Sequence, residues 1–156
     1  MVTLQDVYDA FLSRVTDEDW SDTNITPDDL EWMVRDWRAY LNQAIPYFKF
    51  PRCSLIIDEA SQSFKDPKMS ADEVAILSIY MKQQWIKRSI DTWENIRPEY
   101  SEKDFSQANL LNSFIKMKNQ AAEEAKEAER IYYRSIQKKP YNFSKLGGGG
   151  SRRGTR

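Results

Sequence analysis

Ser70-Ala71-Asp72-Glu73-Val74-Ala75-Ile76-Leu77-Ser78-Ile79-Tyr80-Met81 is the stretch from which the fold class can be read. A serine followed three residues later by a glutamate is a capping box: the Ser70 hydroxyl can accept from the Glu73 amide, and the Glu73 carboxylate can reach back to the Ser70 amide. No glycine or proline follows until Pro98, and Val74, Leu77, Met81, Trp85, Ile86, Ser89, Ile90 and Trp93 recur at helical spacing. The pattern predicts one long helix from the capping box to about Ile96.

Outward from there, both flanks read as helix. A turn is predicted at residues 98–104. Beyond it a last helix runs from about Ser106 to about Ile136, roughly 45 Å long at about 1.5 Å per residue. Leu111, Phe114, Ile115, Lys118, Ala122, Ala125, Glu129 and Tyr132 are predicted on one face of it. Ala121, Ala122, Ala125 and Ala128 permit close helix approach, and Glu123, Glu124, Lys126, Glu127 and Arg130 supply opposite charges three and four residues apart. Pro140 stops any helix, and Gly147-Gly148-Gly149-Gly150-Ser151 has the composition of a flexible linker.

On the amino-terminal side, Thr26-Pro27-Asp28-Asp29 combines a capping hydroxyl, a proline at the first helical position and two acids that suit the helix dipole. The helix it opens is predicted to bury Leu30, Val34, Trp37, Leu41 and Ile45 before Pro46 ends it. A short first helix begins at Thr3, with Asp6 three residues on and Leu4, Val7, Tyr8, Phe11 and Val15 on one face. Residues 16–25 are acidic and lack helical periodicity. For residues 47–68, Phe48, Phe50 and Leu55-Ile56-Ile57 look strand-like while Pro51, Pro67 and the polar Ser61-Gln62-Ser63 interrupt them, so a loop and a short β-hairpin are both open. The expected fold is mostly α: a small helical bundle with one long carboxy-terminal helix, comprising a domain at 1–137 and a flexible, basic, glycine-rich tail at 138–156.

The chain has 156 residues, the size of one ordinary domain. Histidine is absent and cysteine occurs once, which removes histidine-based triads, histidine general bases and the usual Cys/His zinc sites. Asp28/Asp29, Asp58/Glu59 and Glu123/Glu124 are adjacent acids that do not face each other on a helix and lack EF-hand companions, so they read as a solvated surface. Cys53 has no histidine to activate it and reads as a small buried thiol. No catalytic residue, metal ligand or cofactor is assigned. With no charged and apolar leader at the amino terminus and no apolar run that could span a bilayer, an intracellular, soluble protein is expected.

The net charge of −1 conceals a strong asymmetry. Residues 134–156 hold seven basic side chains (Arg134, Lys138, Lys139, Lys145, Arg152, Arg153, Arg156) and no acid, so this end is +7 and residues 1–133 are −8. Within residues 1–36, ten acids face only Arg14 and Arg35, which puts the −8 at the amino-terminal end. Such segregation speaks of partners and solubility. Trp37, Trp85 and Trp93 fall on predicted apolar stripes, whereas Trp20 and Trp32 do not and are candidates for subunit or partner contacts. Tyr141, Phe143 and Leu146 put three apolar side chains within six residues of an otherwise polar tail, the composition of a docking peptide.

Between Phe50 and Ile136 the chain resembles the small head–tail connector (adaptor, neck) proteins of tailed bacteriophages. The resemblance lies in Phe50-Pro51-Arg52, an acidic-polar loop through Asp58 and Phe64, the helix opening Ser70-Ala71-Asp72-Glu73 with Ile76-Leu77, Met81 and Trp85-Ile86, and Lys103-Asp104-Phe105-Ser106-Gln107-Ala108-Asn109-Leu110-Leu111 leading into a helix that closes on Tyr132-Tyr133. It covers roughly half the chain and none of its motifs carries chemistry; residues 1–46 and the glycine-rich end depart from it. The resemblance implies a non-enzymatic virion subunit, assembled in host cytoplasm as a homo-oligomer, a twelve-membered ring beneath the portal protein. The ring would lengthen the DNA channel, help retain the genome and meet a downstream neck or tail protein. Genomic DNA would pass without sequence-specific binding, and no membrane is involved. In this reading Lys138, Lys139, Tyr141, Phe143, Lys145, Leu146, Arg152 and Arg153 dock on portal or a neighbouring subunit, and Asp17, Glu18, Asp19 and Asp22 face the channel, where like charge keeps the duplex mobile. Two other classes fit the composition: a nucleic-acid-binding packaging subunit using the basic tail, and a helical regulatory adaptor pairing through the last helix.

Overall fold

Three capping boxes start three of the helices, each satisfying amide groups that a helix leaves orphaned at its first turn. The computed structural model describes residues 2–15, 26–96 and 105–136. Helix α1 (Leu4–Leu12) is capped by Thr3, whose hydroxyl accepts from the Asp6 amide at 3.3 Å while the Asp6 carboxylate accepts from the Thr3 amide at 2.7 Å. Helix α2 (Pro27–Ala44) repeats the device with Thr26 and Asp29, at 3.2 and 2.9 Å, and carries Pro27 in its first turn. It ends in a 3₁₀ turn, Ile45–Tyr47, that contains Pro46. Helix α3 (Ala71–Ile96) is opened by Ser70 and Glu73, and helix α4 (Phe105–Ile136) is the longest element.

Of the two readings open for residues 47–68, the hairpin is the one formed, in its shortest version. Strand β1 (Ile57–Asp58) pairs antiparallel with β2 (Ser63–Phe64), Ile57 opposite Phe64. The turn between them folds on the Asp58 carboxylate, which accepts from the Ser61 hydroxyl at 2.6 Å, and it closes with Gln62 at φ 48°, in the left-handed region. The Leu4 amide donates to the Gln62 carbonyl at 3.0 Å, and Thr3 bridges Ser63, so the hairpin tip is fastened to the start of α1.

Helix α3 is the hub. Six consecutive residues, Ile76-Leu77-Ser78-Ile79-Tyr80-Met81, are all buried, which no single-sided stripe would produce. Helices α1, α2 and α4 lie against it on different sides, and α3 and α4 run antiparallel, with Glu73 meeting Tyr132 and Gln83 meeting Ala121. The one-sided stripe expected for α3 is therefore corrected: Trp85 and Ser89 are only half-buried, and Ile79 and Tyr80 on the other side are covered. The Trp93 side chain and the turn at 98–104 lie outside the described residues. Phe11, Leu41, Leu77 and Met81 are fully enclosed, each contributing about 1.5–3 kcal/mol of transfer free energy.

Two further stripes differ from expectation. On α2 the buried face is Met33, Trp37, Tyr40, Leu41 and Ala44, while Leu30 is 50 % exposed and Val34 and Ile45 are only partly covered. Two overlapping apolar stripes lie side by side on this helix, and packing of Tyr8 on Trp37 (ring centroids 5.8 Å apart) and Phe11 on Tyr40 (5.9 Å) goes with the inward turn of the one through Met33, Trp37 and Tyr40. On α4 the covered line is Leu111, Phe114, Met117, Ala121, Ala125, Ala128 and Tyr132; Ile115 and Lys118 face outward. The alanines explain it, since Ala121 and Ala125, each 1 % exposed, are small enough to be enclosed against α3. Among the described residues no helix is long and apolar enough to cross a membrane.

Candidate functional site

The most highly bonded polar group described is Glu73, only 1 % exposed. Its Oε2 completes the cap of α3, accepting from the Ser70 amide at 2.8 Å and the Ser70 hydroxyl at 3.1 Å. Its Oε1 accepts from the Tyr132 hydroxyl at 2.6 Å and from the Arg52 and Cys53 amides at 3.0 and 3.3 Å. The Tyr132 oxygen also accepts from the Arg52 amide at 2.9 Å. One carboxylate thus ties the loop after α2, the first turn of α3 and the last turns of α4. Burial pushes the Glu73 pKa up, but the bonds from Tyr132, Ser70 and Cys53 outweigh it and hold the carboxyl below its ordinary value. Burial and the neighbouring Glu73 push the Cys53 thiol up to about 12, and burial followed by the bond to Glu73 raises Tyr132. A carboxylate kept ionised beside a thiol kept protonated offers neither a general acid near neutrality nor a thiolate. Its geometry makes it a clasp.

Along the α3–α4 seam other polar contacts set the register. The Tyr80 hydroxyl donates to Glu129 at 2.7 Å, and the Gln83 amide group donates to the Ala121 carbonyl at 2.9 Å. Arg14, just after α1, donates to the Ser78 hydroxyl at 2.9 Å and to Glu124 at 2.7 Å. Arg88 bridges to Asp36 at 2.8 Å and to the Tyr40 hydroxyl at 3.0 Å, joining α3 to α2.

A surface cleft of about 380 Å³ opens on the outer side of α2. Tyr8 and Val34 line its inner side, Trp32 and Arg35 stand at its edge, and the ion pair of Arg38 with Glu59 closes it toward the hairpin. Trp32, a candidate partner contact in the sequence reading, is 37 % exposed at this cleft. Among the described residues no group of three or more His, Cys, Asp or Glu side chains is arranged to hold a metal.

The residues expected to dock on portal (Lys138, Lys139, Tyr141, Phe143, Lys145, Leu146, Arg152, Arg153), the expected channel-facing acids (Asp17, Glu18, Asp19, Asp22) and Trp20 all lie outside the described residues. Sequence reading missed the extra partners of Glu73. It also missed the aromatic platform where α4 ends: Phe50, 74 % exposed, packs edge-on against Tyr133 with centroids 6.3 Å apart, and Tyr47 stacks on Tyr80 at 5.9 Å. Phe50 in a proline-flanked, charged segment (Lys49, Pro51, Arg52) was the available signal. Compared with protein-family models, with curated proteins and with solved structures, the chain matches none.

Proposed function

We propose that this chain is a structural head–tail connector (adaptor) subunit of a tailed bacteriophage, one copy of a ring below the portal that extends the DNA channel and offers a platform to neck or tail components. The observation that carries the reading is helix α4. It has 32 residues, about 48 Å at about 1.5 Å per residue, and its covered line uses one face only, leaving Ile115 and Ile131 on the outside. A helix of this length exceeds what so small a core requires, and neighbouring copies in a ring would cover the remainder. The resemblance over residues 50–136 and the −8 charge of residues 1–36, suited to a wall that must not grip DNA, support the same reading. In it the basic tail docks on portal or on the adjacent subunit, the particle neck is the protein's final location, and the chain performs no chemical step.

Light scattering of the full chain, and co-sedimentation with purified portal, test this directly. Ring formation, alone or on portal, is expected. Truncation after Lys139 should leave the melting temperature unchanged and abolish portal binding. A strict monomer at high concentration that also fails to co-sediment with portal overturns the reading.

A further inference from the structure

We draw no further inference here: the strongest candidate, the surface cleft between α2 and the β1–β2 hairpin, is lined around Trp32 by acids (Asp28, Glu31, Glu59) and arginines (Arg35, Arg38) alike, so its chemistry selects no class of ligand and nothing in the structure shows what covers it.

Discussion

Where α3 begins and α4 ends, one buried carboxylate collects five hydrogen bonds from Ser70, Arg52, Cys53 and Tyr132; farther along the same helix pair, the seam is held by Ile86, Ile90 and Ala121, with Trp85, Leu111, Phe114 and Met117 half-covering them. The first region is specific and intolerant, since losing the carboxylate leaves the buried Cys53 amide and Tyr132 hydroxyl without their acceptor. The second is apolar and can relax around a change. Stability is therefore expected to be higher at the clasp than along the apolar part of the seam.

Glu73→Ala breaks the contrast most directly. It strands the Cys53 amide and the Tyr132 hydroxyl, leaves the Arg52 amide only the Tyr132 oxygen, and should cost about 3–5 kcal/mol, measured as a drop in denaturant midpoint. Ile86→Ala, at the apolar end, should cost about 2–4 kcal/mol and raise hydrogen exchange chiefly in residues 111–121, sparing those around Tyr132. Exchange that rises equally at both ends would mean the pair unfolds as one unit.

Acid sharpens the comparison. Because the Glu73 carboxyl lies below its ordinary 4.5 when folded, its contribution is complete above that pH and fades as the pH falls through the folded value, at most about 1.4 kcal/mol per pH unit. Asp6, depressed by the bonds from Thr3, titrates in the same direction. Glu73→Gln should flatten the acid limb of the stability curve, and Ile86→Ala should leave its shape intact. The smallest effect belongs to Arg14→Ala, whose bridge to Glu124 is partly exposed on both sides; a loss of about 1 kcal/mol or less is expected, shrinking with added salt apart from the bond to Ser78.

The sequence revealed what is local. Thr3, Thr26 and Ser70 cap their helices as expected, and the box expected at Ser70 and Glu73 forms; that Asp6 and Asp29 reach back in the same way is an addition of the structure. Helices α3 and α4 are continuous over the described residues up to Ile96 and Ile136, without a break inside either, as their lack of glycine and proline predicts. What needed the partner was hidden. Leu30, Trp32, Met33, Val34, Trp37, Tyr40 and Leu41 offer two overlapping stripes on α2, and only the rings of Tyr8 and Phe11 choose between them. Likewise Glu73 announces its cap but not Tyr132, which is 59 residues away. Of the candidate surfaces, Trp32 was legible as an apolar residue off the expected stripe. Phe50 offered only its charged setting beside Pro51, because its place against Tyr133 depends on where α4 lands.

The 59-residue separation between Glu73 and Tyr132 also bears on folding kinetics. Closing so long a loop carries an entropic cost that nearer contacts such as Gln83 with Ala121 incur to a lesser degree, so the clasp should be made after the rate-limiting step. Tyr132→Phe, which removes only the hydroxyl, should then leave the refolding rate nearly as it is and appear almost wholly as faster unfolding, a φ-value near zero. The clasp would act as a brake on unfolding, setting how long a folded copy persists.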